Sequence, residues 1–242
     1  MKTSNKLFIA AILIIILSMV AYDFALRAEY LKGEYKSRFY EKEKLGFNGF
    51  KSIDNRAANY LPITVERGDH FGVWIDKNLK DRIKISKIGD QLIIDVIDRN
   101  SPKIIPYSNS VTIICPSINE VVMQPLLLVK ENQEIYPSDA TTNLSGFNQQ
   151  NLSLIVNEST HLNLEKTKIE NLNAIVGTNS STHAYLFIAS NNQIGNANIN
   201  VLGKNQLVIE NPKIEKTNFN ISDSANVSLG GSTLKQLRTQ PK

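Results

Sequence analysis

The sequence predicts an all-β chain, a parallel β-helix or β-solenoid-like head preceded by one N-terminal transmembrane helix. Three observations predict it. Residues 7–22 read LFIAAILIIILSMVAY, a nearly unbroken apolar run. From Phe47 onward, short alternating apolar runs are punctuated by Gly, Asn, Asp and Pro. Beyond residue 137, matching apolar pairs return about every 20 residues, the mark of stacked structural repeats.

The apolar run is short for a span of about 17–25 residues, but Phe24, Ala25 and Leu26 carry it onward. Lys2 and Lys6 precede it and Asp23 follows it. That bias places the N-terminus in the cytoplasm and the remainder outside, in the periplasm or at the cell surface. Ser18 and Ala21 do not form a small-x-small cleavage pattern, so an uncleaved signal anchor is expected, with the lipid bilayer as its partner. The expected organisation is a cytoplasmic tail (1–6), a transmembrane anchor (7–26), a stem (27–46), a first β region (47–136) and a repetitive β region (137–242).

In the stem, Glu29, Lys32 and Lys36 have the spacing of one helical face, which Gly33 weakens. Tyr30 and Tyr40 suit a membrane interface. In the first β region, LPITVERGDHFGVWID predicts a hairpin turning at Arg67-Gly68-Asp69. RIKISKIGDQLIIDV predicts a second, turning at Gly89-Asp90, with Ile83, Ile85, Leu92 and Ile94 on its buried face. VTIIC is a strand ended by Pro116-Ser117, and VVMQPLLLV is interrupted by Pro125. Phe71 and Trp74 are expected in or beside the core.

The repeat is clearest in the second region. Leu162/Leu164, Leu186/Ile188, Leu207/Ile209 and Val227/Leu229 are equivalent pairs. Ile169, Ile194, Ile214 and Leu234 follow them at spacings of 25, 20 and 20 residues. Leu172, Ala197, Thr217 and Leu237 come next, then Ala174/Val176, Ile199/Val201 and Phe219/Ile221. One such coil cannot bury its apolar side, but a stack buries a continuous column. Asn179-Ser180 and Asn191-Asn192 supply turns. The polar ending LKQLRTQPK is expected to shield the last coil. A sandwich of hairpins is the competing arrangement.

Composition excludes several function classes. The 242 residues carry 27 basic and 23 acidic side chains, net +4, with no basic stripe interleaved with aromatics, so no nucleic-acid partner is expected. Cys115 is the single cysteine, which rules out an intramolecular disulfide and a CxxC site; it is expected to be a buried apolar side chain. His70, His161 and His183 have no compact metal-ligand spacing; Tyr185, not His183, matches His161 in the repeat. There is no GxSxG and no phosphate-binding loop, and Gly230-Gly231-Ser232 reads as a coil turn. No catalytic residue, metal or cofactor is therefore assigned. Six N-x-S/T sequences, at Asn143, Asn151, Asn157, Asn179, Asn220 and Asn226, read as by-products of Asn- and Ser-rich turns.

FKSIDNRAANYLPITVERGDHFGVWID, NLKDRIKISKIGDQLIIDV and VTIICPSINEVVM, taken in order, resemble the opening of the putative auto-transporter adhesin head-domain family common in Bacteroidetes. The matching features are Gly68-Asp69, Asn78-Leu79, Leu92 with Ile94, and Pro116 with Ile118. The resemblance is most specific over residues 50–123. It implies a β-solenoid-like domain outside the cytoplasmic membrane and carries over no catalytic residues. This chain departs from the family in using Asn where glycine and serine are usual, and in its membrane anchor.

Two sets of residues are candidates for chemistry. Tyr185, Phe187 and Val208 are expected to project from neighbouring coils as a ligand-binding strip for a glycan or an envelope protein. Among the carboxylates, Asp90 and Asp95 flank one strand, and Glu165, Glu170 and Glu210 stand at coil edges. Glu165 and Glu210 match across the coil of Ala189, about two ~4.8 Å strand spacings apart. The expected function is a non-catalytic envelope protein presenting a surface for adhesion, glycan or protein binding. The alternatives are a polysaccharide hydrolase or lyase on a β-helix and a purely structural envelope scaffold.

Overall fold

The computed structural model describes residues 3–33, 36–100, 110–130, 133–135, 140–178, 182–231 and 233–234. The chain divides into two units, Met1–Lys42 and Glu43–Lys242.

The first unit is built on α1 (Thr3–Lys32). Its Leu, Ile, Ala and Met content favours a helix, and none of its residues is buried. It is long and apolar enough to cross a membrane. The helix stops at Gly33, whose φ of +68° only glycine adopts without cost. Glu29 and Lys32 do pair. Lys36, expected on the same helical face, lies past the helix end and holds its ammonium 5.7 Å from the Tyr30 ring centre. Glycine's backbone freedom here outweighs the charge spacing.

The second unit consists mainly of strands in two sheets that mix parallel and antiparallel pairings. The strands of the first half are β1 (Lys42–Leu45), β2 (Ser52–Asn55), β3 (Ile63–Arg67), β4 (Gly72–Asp76), β5 (Ile83–Ile88), β6 (Gln91–Val96), β7 (Val111–Cys115) and β8 (Glu120–Met123). A separate antiparallel pair, β9 (Leu128–Lys130) and β10 (Gln133–Ile135), follows Pro125. The second half holds β11 (Thr141–Ser145), β12 (Asn148–Val156), β13 (His161–Glu165), β14 (Lys168–Val176), β15 (Thr182–Ile188), β16 (Gln193–Val201), β17 (Lys204–Ile209), β18 (Lys213–Ile221) and β19 (Asn226–Leu229). One sheet has the order β1-β4-β7-β3-β11-β13-β15-β17-β19, the other β18-β16-β14-β12-β8-β2-β6-β5. Both sheets run through the two β regions, joined by the parallel pairs β3–β11 and β8–β12.

The hairpin expected over residues 61–76 does not form. β3 and β4 each pair with β7, β3 parallel and β4 antiparallel, so VTIIC lies between them. Apolar burial explains this: Val111, Ile113 and Cys115 are fully buried, and a strand with partners on both edges leaves no backbone group unpaired. The supposed turn serves this insertion. Gly68 donates to the Cys115 carbonyl at 3.1 Å, and a side chain on Gly68 would collide with the Ile114 side chain at 2.3 Å. The second hairpin is as expected, with Ile85 opposite Ile94 and Gly89 at φ +57°. Phe71 is partly buried and meets Phe50 edge to face at 4.9 Å; Trp74 is half-buried beneath Lys44.

In the second half the predicted apolar pairs fall in register. Leu162, Leu186, Leu207 and Val227 align on one sheet, and Ile169, Ile194 and Ile214 on the other. Their side chains fill the space between the sheets, each fully buried leucine or isoleucine contributing roughly 1.5–3 kcal/mol. An earlier rung, β11 and β12, belongs to the same stack through Leu144, Leu152 and Leu154. Leu234 departs from the series: it sits in a helical turn, 42% exposed, past the last paired strand. Leu237, Ser232, Asn179-Ser180 and the chain after Leu234 lie outside the described residues.

Candidate functional site

Period-two alternation turns every second residue of β13, β15 and β17 outward. Tyr185 stands in register between His161 and Gln206, and Phe187 between Asn163 and Val208. Tyr185, Phe187 and Val208 are all half-buried on this outer face. The Tyr185 and His161 rings meet edge to face, centroids 5.4 Å apart. A hollow of about 330 Å³ is lined by His161, His183, Ala184, Tyr185 and Gln206. Phe187 and Val208 pair beside it rather than in it.

Of the residues lining that hollow, the strip read from the sequence contains only Tyr185. His183 is out of phase with His161, yet β15 carries a register shift between Thr182 and Tyr185, and His183 takes φ +63°. This bulge re-aims His183 towards the same hollow. Among the described residues, no group of three His, Cys, Asp or Glu side chains could hold a metal ion.

The other named carboxylates are dispersed. Asp90 pairs with Lys51 at 3.4 Å. Asp95 pairs with Arg99 at 2.6 Å and also accepts from the Val96 amide. Glu165 and Glu210 flank Ala189, whose backbone joins Leu164 at 3.0 Å, while the Glu210 amide joins Ile188 at 2.9 Å. His70 is exposed in a bend. Cys115 is fully buried, and desolvation pushes its thiol up to about 12, which suppresses the thiolate that a nucleophile needs.

The outer face of the second sheet carries a feature that pattern reading also misses. Asn151, Asn171 and Asn196 form a hydrogen-bonded column: Asn171 Nδ2 donates to Asn151 Oδ1 at 3.1 Å, and Asn196 Nδ2 to Asn171 Oδ1 at 2.9 Å. Beside it Asn198 Nδ2 donates to Asn173 Oδ1 at 3.1 Å. The signal was present, since asparagine holds the first and third positions of NLNAIV and every second position of NANINV.

The fold is similar to solved structures. A putative adhesin from Parabacteroides distasonis matches with a TM-score of 0.56 at 11% identity, over 77% of this chain and 71% of that one. A putative adhesin from Bacteroides fragilis matches with a TM-score of 0.47 at 10% identity, over 78% and 96%. A putative lipid binding protein from Parabacteroides distasonis gives 0.37 at 15% identity, over 77% and 96%. The first of these likenesses shows a common fold. No protein-family model and no curated protein matches the chain.

Proposed function

We propose that this chain is a non-catalytic envelope protein, anchored by α1, whose head is a β-solenoid standing outside the cytoplasm and presenting a fixed binding surface. The observation that carries the reading is the in-register parallel stacking from β11 to β19. It holds outward side chains in straight columns, each strand restrained by its neighbours. Tyr185, Phe187 and Val208 form the aromatic and apolar part of that surface, where a sugar ring or an envelope protein docks. The anchor covers residues 7–26, with residues 1–6 inside the cell and the stem at 27–46. The absence of any buried residue on α1 supports this, because such a helix is stable in lipid and exposes its apolar side chains at great cost in water.

Two measurements test the reading on the full-length chain. After alkaline carbonate washing of membranes the protein stays in the pellet, and protease added to intact spheroplasts digests the head. Digestion only after lysis would overturn the orientation. On glycan and envelope-protein arrays, Tyr185→Ala with Phe187→Ala lowers the strongest signal at least tenfold at unchanged thermal stability; an unchanged signal removes the strip from the binding surface.

A further inference from the structure

The corner where β12, β14, β16 and β18 begin carries a second surface, on the opposite sheet from Tyr185. In β14, Lys168 faces outward and Ile169 inward; then Glu170 and Asn171 both face outward before Leu172 turns in. The same break occurs at Gln150-Asn151, Gly195-Asn196 and Glu215-Lys216. The ladder passes from the 149–169–194–214 column straight to the 151–171–196–216 column. Four successive strands therefore bend at one position, and a groove of about 540 Å³ crosses them.

Lys168, Gln193 and Lys213 form one wall, and Glu170 and Glu215 stand either side of Gly195. A side chain at Gly195 would meet the Glu170 carbonyl at 2.7 Å and its carboxylate at 3.0 Å, so glycine keeps the middle of the groove open. The two lysines and two glutamates cancel in charge. Along the next columns lies the amide ladder. Each linked asparagine commits one N–H or one lone pair to each neighbour, and its two-donor, two-acceptor amide keeps further capacity for a ligand.

We propose that this groove binds a neutral, extended polysaccharide laid across the four strands. A polyanion meets Glu170 and Glu215, a polycation meets Lys168 and Lys213, and an apolar chain strips water from all four. Hydroxyl groups donate and accept, as do the amides lining the groove and ladder. The rungs repeat at ~4.8 Å, close to the length of one pyranose ring, so a linear polymer presents one sugar to each rung. The proposal rests on the head being a non-catalytic binding module, and adds a site and a ligand class to it.

The test uses the full-length chain in detergent, titrated with linear β-glucan, mannan and xylan oligosaccharides of increasing length. For at least one series, affinity rises tenfold or more from the disaccharide to the tetrasaccharide and levels off once four rungs are spanned. Gln193→Ala with Lys213→Ala lowers that affinity at least tenfold, as does Asn198→Ala alone, whereas Lys87→Ala on β5 leaves it unchanged. Thermal unfolding confirms that the variants are folded. Affinity independent of length, no binding by any series, or tighter binding of an anionic polymer such as polygalacturonate overturns the proposal. Loss with Tyr185→Ala and Phe187→Ala but not with the groove variants overturns the groove and leaves the binding-head reading standing. Recovery of shortened oligosaccharide overturns the non-catalytic reading itself.

Discussion

Asn192 turns the chain from β15 into β16 with a side chain that only an amide can replace. It is 1% exposed. Its Oδ1 accepts from the Thr167 amide at 2.9 Å and from the Thr167 hydroxyl at 2.8 Å, while Nδ2 donates to the carbonyls of Leu164 and Ala189, both at 2.8 Å. Asn192→Ala leaves these groups buried without their partner, at a cost of about 2–4 kcal/mol, read as a lower urea midpoint. Cys115 gives a pH-dependent counterpart. A free thiol near 9.0 loses its proton well before the buried one, which holds it to about 12. Between those values the folded chain binds more protons than the unfolded chain. Stability from this group is therefore full below pH 9 and lost as pH rises towards 12, by at most about 1.4 kcal/mol per pH unit. Urea midpoints from pH 8 to 11.5 fall more steeply for the native chain than for Cys115→Ala; equal slopes would remove the thiol as the cause.

At the scale of the strand, what repeats locally can be read and what depends on a distant partner cannot. The pairs Leu162/Leu164 and Leu186/Ile188 are legible because burial on one face imposes period two, and their common phase gives the register found between β13 and β15. The β5–β6 hairpin is legible because its turn and both strands are contiguous. Residues 61–76 have the same local grammar, yet their partner β7 lies some 40 residues on, and nothing within the segment announces it. The strip at Tyr185 follows from alternation alone, whereas the bulge at His183 and the shared bend at Glu170 and Gly195 break alternation and are invisible to it. Gly195 makes that bend testable. Gly195→Ala sets a methyl group against the Glu170 backbone carbonyl, so the strand must shift, at about 1–3 kcal/mol. Adding Glu170→Ala in the same chain should not restore the urea midpoint, because the obstructing atom belongs to the main chain; recovery would place the conflict in the carboxylate instead.

For the whole head, the stacking that fixes the surface also fixes how it opens. β14 and β16 have parallel partners on both edges, and Leu172, Ala174, Ala197 and Ile199 beneath them are at most 1% exposed. Among the described residues, β18 and β19 end their sheets. Phe219, Val227 and Leu229 there are only partly buried, and Ile221 is 39% exposed. Where each rung touches only its neighbours, stability is close to a sum of rung and interface terms, and a terminal rung lacks one interface. Opening therefore begins at β18 and β19 and costs less than global unfolding. Native-state hydrogen exchange should show amides of β18 and β19 exchanging at least tenfold faster than those of β14 and β16, with β12 on the slow side. The Tyr185 strip and the part of the groove over β12, β14 and β16 then lie away from the end that opens first, while the groove's last rung, Lys213 and Glu215 on β18, lies on it. A ligand bound as proposed would meet side chains already in place on the inner rungs and lose ordering entropy mainly at that last one. Uniform exchange from β12 to β19 would show that the head opens as one cooperative unit, and would deny the central rungs any special rigidity.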